Sequence, residues 1–477
     1  MPLYVYLFPS QEYGVVTYLY GATAVALVIL NYGMETGFFR FANKEKDPES
    51  VYTTSLISVG FTSLLFILLL SVFLKPVSAA LTLPHHSLYV WIMGVTVAID
   101  AFSNIPFAYL RYKNKAWRFA GIKLLNVAFN IGLNLFFLLG CPAIMRHCPG
   151  AISWFYLPCG GEALGIGWIF VANIMSTLLV LLCLMPELLG RKYVFLWDLL
   201  KKMLSYSWPL LILGVAGMLS QNMGQLIIPY LFPDDETAAR SMVGIYGANM
   251  KIAIVMVMFT QAFRYAYEPF IFAQARGAGE DKSKAYCDAM KYFIIFGLLI
   301  FLGVMYYLPV LKYFISPGYW SGLRVVPIMM LAELCFGIFF NLSLWYKLTD
   351  RTQWGMYFSL ICFVLMLGLN VWLVPMIGIP DGYMGSACAA LISYFVVMVM
   401  SYFAGKKYYP LPYQTGRMFM YLLLAGVLYV GGMLMDNFFN VWITYALRFV
   451  LLMVYVGVVA LFEEIPFLSP LMRRLKR

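Results

Sequence analysis

Apolar stretches of about 20 residues, the length that a helix needs to cross a lipid bilayer, recur along the whole chain with short gaps between them. Hydrophobic residues make up 62% of the 477 positions and charged residues only 12%, whereas soluble domains contain about 25% charged residues. The stretches are continuously apolar and do not alternate with polar residues, which excludes a closed β-barrel. We therefore predict an all-α polytopic membrane protein that has no soluble catalytic domain.

Thirteen of these stretches are predicted to span the membrane as helices. Two exceed one bilayer thickness, and we expect them to project into the cytoplasm as helices; they cover residues 13–41 and 241–274. The other eleven cover residues 52–75, 87–111, 117–139, 163–186, 209–231, 285–309, 321–346, 354–376, 382–404, 415–434 and 440–462.

Lysine and arginine residues concentrate at one set of alternate helix ends. Of the 33 lysines and arginines, 23 lie near residues 40–46, 111–118, 191–202, 276–284, 347–351, 406–417 and 473–477. Because short cytoplasmic loops retain basic residues, these ends are predicted to be cytoplasmic, and so is the C-terminus. The net charge of +11 follows from this topology. It calls for no nucleic acid and predicts contact with anionic membrane lipids.

The chain contains an internal repeat, which indicates two diverged copies of one unit. Four short motifs recur in the same order at offsets that grow from 224 to 236; the pairs are 6–9 with 230–233, 20–22 with 246–248, 112–113 with 346–347, and 132–134 with 368–370. Each copy runs through an even number of spans, so the copies are parallel repeats related by an axis along the membrane normal. We expect two six-helix lobes around a central cavity, with alternating access by rocking of the lobes.

The position of the first motif bears on the front of the chain. The motif at 230–233 ends a full spanning segment, whereas its counterpart at 6–9 lies close to residue 1, so we expect the first helix of the first lobe to be truncated. The predicted parts are an N-terminal lobe lacking most of that helix, an amphipathic cytoplasmic linker, a C-terminal lobe, and an extra helix pair with a basic cytoplasmic tail, at 1–186, 187–205, 206–405 and 406–477.

Charged side chains inside predicted spans are candidates for function, because each costs on the order of 2.5–3.5 kcal/mol at the bilayer centre. They are Glu35, Asp100, Lys123, Lys251, Arg264, Glu268, Glu333 and Arg448. Asp100 and Glu333 occupy almost equivalent positions in the two copies. This predicts a functional carboxyl group at a similar depth in the membrane in both lobes.

The fourth predicted helix carries a polar face. Lys123, Asn126, Asn130 and Asn134 follow one another at spacings of three, four and four residues, which places them on one side of a helix. That side is expected to face the bundle interior or water. The alternative is that the asparagines only join helices by hydrogen bonds.

Two further pairs of charges lie near predicted cytoplasmic ends. Arg264 and Glu268 are four residues apart, so they either pair with each other or leave the guanidinium as a planar donor for a pyrophosphate. Glu35 lies between Gly33 and Gly37, whose spacing permits close helix contact. Arg40 follows it, and its simpler interpretation is a side chain that extends to the membrane surface.

Sequence signals for other chemistry are absent. The three histidines lie in predicted outer loops without the spacing of a metal site, and no phosphate-binding glycine loop occurs. We therefore predict no catalytic residue, no metal and no cofactor. Cys141, Cys148 and Cys159 share the longest predicted outer loop, where one disulfide of undetermined pairing is expected.

Three segments resemble a known family: residues 31–41, residues 244–249, and residues 261–265 with 268–270. They are similar to polysaccharide biosynthesis and O-antigen flippases of the multidrug, oligosaccharidyl-lipid and polysaccharide exporter superfamily (MOP superfamily), particularly those of Bacteroidetes, and the likeness extends over essentially the whole chain. The resemblance implies two six-helix lobes around a cavity and cationic residues that contact a lipid diphosphate. Relatives often carry Asp-Arg where this chain has Gly224 and Gln225, which puts that pair's coupling role in doubt here.

The resulting hypothesis is a flippase, not an enzyme, for an undecaprenyl-pyrophosphate-linked oligosaccharide of O-antigen (lipopolysaccharide), capsule or exopolysaccharide. Its partners are that substrate, membrane lipids and other polysaccharide assembly proteins. The predicted substrate-binding residues are Arg40, Lys123, Lys251, Arg264, Asn130 and Asn134, and the predicted charge-balance or ion-coupling residues are Glu35, Asp100, Glu268 and Glu333.

Three alternatives remain open. The same fold serves peptidoglycan-precursor flippases and cation-coupled drug exporters, although the mixed signs of the candidate charges argue mildly against a drug exporter. A membrane glycan polymerase or ligase is disfavoured because the longest predicted outer loop, residues 140–162, is short for holding both donor and acceptor.

Overall fold

A computed structural model of the chain describes residues 2–147, 165–190, 192–274, 280–349, 351, 353–435 and 440–463. These residues form helices and their connections and contain no β-strand. Twelve helical segments within them are long and apolar enough to cross a membrane, and a shorter apolar helix covers Gly167–Cys183. They occupy the thirteen predicted positions, so the prediction of an all-α polytopic protein is confirmed.

The chain divides into two compact units, which we call the first unit (Val15–Tyr230) and the second unit (Met1–Gly14 with Leu231–Arg477). The first unit is built mainly from α2 (Ser10–Asn31), α3 (Met34–Ala42), α4 (Pro48–Val72), α5 (Leu74–Ala80), α6 (Ser87–Tyr112), α7 (Ala116–Leu135), α8 (Cys141–His147), α9 (Gly167–Cys183), α10 (Met185–Leu188) and α11 (Trp197–Leu231). A 3₁₀ turn at Pro84–His86 precedes α6, and a π-helical turn at Phe136–Gly140 joins α7 to α8.

The second unit contains α1 (Pro2–Leu7), α12 (Glu236–Gln274), α13 (Glu280–Tyr306), α14 (Leu308–Leu311), α15 (Val325–Leu342), α16 (Leu344–Leu348), α17 (Gln353–Ile377), α18 (Tyr383–Tyr408), α19 (Thr415–Leu434) and α20 (Val441–Phe462). Short 3₁₀ segments lie at Lys312–Phe314 and Pro317–Arg324. The four-part division of the chain predicted from the sequence stays a prediction.

The same packing order occurs in both units. In the first unit α6 packs against α4 and α9, and α9 packs against α7. In the second unit α15 packs against α13 and α18, and α18 packs against α17. Since α7 and α17 carry the matched motifs 132–134 and 368–370, the two units repeat one arrangement of helices, as the motif order predicted.

The predicted continuous helix over 13–41 is broken, which corrects that expectation. α2 ends at Asn31, and α3 begins after Gly33, whose φ of 71° is a left-handed conformation that glycine adopts without steric cost. A Cβ atom on Gly33 would lie 3.2 Å from the Ser207 carbonyl oxygen, and one on Gly37 would lie 3.0 Å from Ser207 Oγ. The predicted close helix contact at these glycines is therefore confirmed, and its partner is α11.

The segment predicted as an amphipathic linker, residues 187–205, includes the start of a long helix. α11 already begins at Trp197 and continues as one 35-residue helix to Leu231. Before it, the backbone around Val194 is held by the hydroxyl of Thr53, which donates to the Val194 carbonyl oxygen at 2.8 Å. Glu187 is buried, and its Oε2 forms an ion pair with Arg118 Nη2 at 3.0 Å. The linker is thus bound to α4 and α7 by specific polar contacts.

The terminal pair α19 and α20 packs against α13. Inside this contact Lys291 Nζ lies 2.5 Å from Glu463 Oε2, and both side chains are about 5% exposed. Arg448, one of the candidate charges within the membrane, donates to the carbonyl oxygens of Tyr306 and Gly432 at 3.1 Å each. Removing one partner of a buried ion pair costs about 3–5 kcal/mol. Loss of Lys291 or of Glu463 is therefore expected to weaken the contact between the terminal helices and α13.

Candidate functional site

A polar cavity of about 410 Å³ lies within the first unit. Four helices line it: α2, α6, α7 and α9. Their polar contributions are Tyr20, Thr23, Thr96, Asp100, Asn126, Asn130, Asn173, Ser176 and Thr177. Polar side chains inside spanning helices are retained where they bond to each other or line a water-accessible path. The cavity is therefore our candidate site.

A chain of amide hydrogen bonds crosses the cavity wall. Asn134 Nδ2 donates to the side-chain oxygen of Asn130 at 3.1 Å, and Asn130 Nδ2 donates to Asn173 Oδ1 at 2.8 Å. Asn173 in turn donates to the hydroxyl oxygen of Tyr20. Asn130 Nδ2 also reaches Ser176 Oγ at 3.1 Å. The chain joins α7, α9 and α2, and it orients the oxygens of the cavity.

Asp100 is the only acid among the described residues that line this cavity. Its carboxylate is partly buried, and Thr177 Oγ1 donates to its Oδ1 at 3.2 Å. A carboxylate surrounded by hydroxyl and amide oxygens has the chemistry of a site for a small hard cation or for a proton. Such a site is poorly suited to a phosphate, because the carboxylate repels anions.

The predicted polar face of α7 is only partly directed into the cavity. Asn126 and Asn130 line it, whereas Lys123 and Asn134 do not. Lys123 is exposed, and its Nζ lies 4.1 Å from the centre of the Phe107 ring. Asn134 is 4% exposed and is held by Asn130, to whose carbonyl oxygen it donates at 2.7 Å. Asn134 thus fits the helix-joining alternative.

The other candidates of the first unit lie at its basic end. Glu35 Oε1 forms an ion pair with Arg111 Nη2 at 2.6 Å, and both side chains are nearly 40% exposed. Arg40 is exposed, and its guanidinium lies 4.0 Å from the centre of the Tyr206 ring. Among the described residues neither Arg40 nor Lys123 forms an ion pair, although the charges of Asp100 and Glu35 act on Lys123. Both rest on aromatic faces, which attract a cation without neutralising its charge.

The candidates of the second unit are dispersed. Glu333 on α15 is 9% exposed and forms no hydrogen bond or ion pair with the described residues. Lys251 of α12 borders a separate pocket of about 270 Å³, which α1 also lines. Arg264 lies 4.5 Å from the centre of the Phe340 ring. The side chain of Glu268 lies outside those that the structure describes, so its pairing with Arg264 stays a prediction.

Sequence reasoning missed the contribution of α9 to the cavity. Asn173, Ser176 and Thr177 are spaced so that they share one helix face, in a helix that is otherwise strongly apolar. A search for small polar residues at helical spacing would have found them, because charge alone does not. Cys148 and Cys159 lie outside the described residues, so the disulfide expectation stays a prediction.

No protein-family model and no curated protein matches the chain. Among solved structures, the fold is similar to the lipid II flippase MurJ in an inward closed conformation, with a TM-score of 0.65 and 13% identity, over 98% of this chain and 94% of that one. It is similar to a MATE structure in the straight conformation, with a TM-score of 0.57 and 15% identity, over 85% and 90% of the two chains.

An outward-facing multidrug resistance MATE family transporter of the MOP superfamily is similar as well, with a TM-score of 0.54 and 14% identity, over 83% of this chain and 86% of that one. At such low identities the likeness establishes the fold. The chain is therefore a multi-pass membrane protein with the fold of these transporters.

Proposed function

We propose that this chain, which has the fold of MurJ and MATE transporters, moves an undecaprenyl-pyrophosphate-linked oligosaccharide across the bacterial inner membrane by alternating access. The observation that supports a lipid cargo is the extent of the similarity. The lipid II flippase matches 98% of this chain, whereas the MATE structures match 83–85%. A fold likeness of this kind favours transport over a glycan polymerase or ligase.

The candidate cations are suited to the diphosphate of such a substrate. Arg40, Lys123 and Arg264 each lie against an aromatic ring, and neither Arg40 nor Lys123 forms an ion pair among the described residues. A guanidinium stacked on a ring keeps its N–H groups at the edge, where they form paired, charge-assisted bonds to phosphate oxygens. We propose that these three residues, with Lys251, contact the diphosphate during transport.

Asp100 has a different role in this proposal. The oxygens around it are suited to a small cation or a proton, and its cavity lies within one unit. We propose that occupation of this cavity changes during the transport cycle and couples export to an ion gradient. Asn130 positions the surrounding amides and is the second residue that we assign to this coupling.

Complementation of a deletion strain tests the proposal. The strain that lacks the gene is expected to lose surface polysaccharide and to accumulate lipid-linked precursor in its membrane, and the wild-type gene is expected to restore both. Arg264→Gln should lower surface polysaccharide by about tenfold or more, since a charge-assisted phosphate contact contributes about 1.5–3 kcal/mol. The variant protein should be present at the wild-type level on an immunoblot.

Arg240→Gln is the matched control, because Arg240 is on the same helix and forms an ion pair with Glu236 one turn away. It should restore polysaccharide fully. Full restoration by Arg264→Gln would remove this residue from the mechanism. Normal polysaccharide in the deletion strain itself would contradict the proposed substrate.

Two other cargoes are distinguished in the same strain. The similarity to the lipid II flippase favours a peptidoglycan precursor as the second candidate, which predicts accumulation of that precursor and cell lysis after depletion. The acid-containing cavity and the MATE likeness would fit a cation-coupled drug exporter, which predicts greater drug sensitivity with unchanged polysaccharide.

A further inference from the structure

An apolar groove of about 380 Å³ lies in the second unit, where α19 begins. Its walls include Met290 of α13, Ile338 and Leu342 of α15, Tyr402 and Phe403 of α18, and Met418 of α19. The Phe403 side chain is 63% exposed, so the groove opens onto the surface of the unit. We call it the α18–α19 groove.

Four cations lie at one end of this groove. Lys406 and Lys407 are in the last turn of α18, four residues after Tyr402 and Phe403, and therefore lie one turn further along the same helix face. Arg417 precedes Met418 in the first turn of α19. Arg351 belongs to the same end, because its guanidinium lies 4.4 Å from the centre of the Tyr408 ring.

Among the described residues, Glu463 is the one carboxylate that pairs with a cation of this end. Glu463 is engaged by closer partners, since its Oε2 lies 2.5 Å from Lys291 Nζ and its Oε1 accepts from the Tyr421 hydroxyl at 2.9 Å. Arg417 Nη1 forms a longer ion pair with Glu463 Oε1 at 3.6 Å, and its side chain is 52% exposed. Lys406 and Lys407 are exposed and have no carboxylate partner in the described part of the chain. Among the described residues, the end of the groove therefore carries a net positive charge.

The groove lies on a different face of α15 from Arg264, the second-unit cation that contacts Phe340 and that we assign to the substrate diphosphate. Ile338 and Leu342 are four residues apart on α15 and share one face. Phe340, which contacts Arg264, is two residues from each and projects about 200° away around the helix. A molecule in the groove would therefore bring its polar head to Lys406, Lys407 and Arg417 rather than to Arg264.

We propose that the α18–α19 groove binds an acyl chain of an anionic membrane phospholipid, whose phosphate is held by Lys406, Lys407 and Arg417. The apolar walls accept hydrocarbon of any membrane lipid, but the clustered cations favour a headgroup with net negative charge. Tyr402 and Tyr413 supply the amphipathic rings that are common at the membrane surface. The inference rests on the membrane location of the chain and not on the identity of its transported substrate.

Native mass spectrometry of the full chain, released from nanodiscs of phosphatidylcholine with a minor fraction of phosphatidylglycerol, tests the proposal. The wild-type protein is expected to retain one phosphatidylglycerol in preference to phosphatidylcholine. Lys406→Gln with Lys407→Gln should lower this retention by about tenfold. Val399→Trp should lower it as well with all cations intact, because Val399 lines the groove and the larger ring fills it.

Lys201→Gln with Lys202→Gln is the matched control, since these adjacent lysines lie in the first unit, outside the groove. It should leave retention unchanged, and thermal unfolding should show that each variant is folded. If Val399→Trp does not fold, the lysine pair alone decides. Equal loss in the control, or full retention in the Lys406 and Lys407 variant, would overturn the proposal. Displacement of phosphatidylglycerol by undecaprenyl phosphate would also overturn it, because the groove would then serve the transported class of lipid.

Discussion

The polar cavity around Asp100 and the matching region of the second unit began as copies of one arrangement but now differ in chemistry. At the offset of 236 that matches Asn134 to Asn370, the second copy has Ser359, Cys362 and Met366 where the first has Lys123, Asn126 and Asn130. Met366 is 2% exposed and Cys362 7%. In the second copy, buried sulfur-containing side chains thus occupy the positions of the cavity amides.

One asparagine is the same in both copies. Asn134 and Asn370 are both buried, and each donates to the carbonyl oxygen four residues earlier at 2.7 Å. The comparison therefore predicts a structural role for the shared asparagine and a role in the candidate site for the asparagines that occur in one copy only.

The acids of the two copies are expected to differ most in their effect on transport. Asp100 lines a polar cavity, whereas Glu333 is buried without a bonding partner among the described residues. Asp100→Asn should lower surface polysaccharide by about tenfold or more, since it removes the charge that a cation or proton would neutralise. Glu333→Gln should lower it by less than about threefold. Both effects are measured as restored polysaccharide per amount of protein, and the reverse order would break the comparison.

The two asparagines of α7 sharpen the comparison further. Asn130→Leu removes the donor to Asn173 and Ser176 and should lower polysaccharide by roughly fivefold to tenfold, the equivalent of about 1–1.5 kcal/mol for a lost hydrogen bond. Asn134→Leu is its control on the same helix and should leave transport within about twofold, with a change in stability near 1 kcal/mol. Equal losses in the two variants would place Asn134 in the site.

A substitution in the second unit tests whether this unit can accommodate a buried amide at the position that matches Asn130. Met366→Asn introduces the residue of the first copy into a buried position, where an amide without partners costs about 1–3 kcal/mol. The thermal midpoint of the detergent-purified protein should therefore fall by a few degrees. Met366→Leu serves as the control of similar size and should cost less than about 1.5 kcal/mol. An unchanged midpoint for Met366→Asn would mean that the second unit can also accommodate a polar site.

The smallest effect is expected for Glu35, because its partner Arg111 is nearly as exposed as it is. Glu35→Gln and Arg111→Gln should each change the unfolding free energy by less than about 1 kcal/mol, and the coupling energy of the pair in a double-mutant cycle should be of the same size. A large loss of transport by Glu35→Gln with unchanged stability would instead support the predicted role of Glu35 in ion coupling.

The candidate site was only partly predictable. Asp100 and Asn130 were found because charge and amide groups are costly within a membrane. The cavity partners Tyr20, Asn173 and Thr177 were not found, since hydroxyl and single amide groups are common in spanning helices as packing contacts. The buried pair of Lys291 and Glu463 was missed as well, because its members are 172 residues apart in the chain and only the packing of the terminal helices joins them.

The amino-acid sequence by itself determined the membrane environment, the positions of the apolar helices and the duplication, because apolar length and motif order are properties of consecutive residues. Tertiary structure decided which side of each helix became a cavity. It directed Asn126 and Asn130 inward and left Lys123 on an aromatic surface, and it broke the first long helix at Gly33 where α11 packs closely. Periodicity places residues on a shared face, but only the neighbouring helices determine what that face contacts.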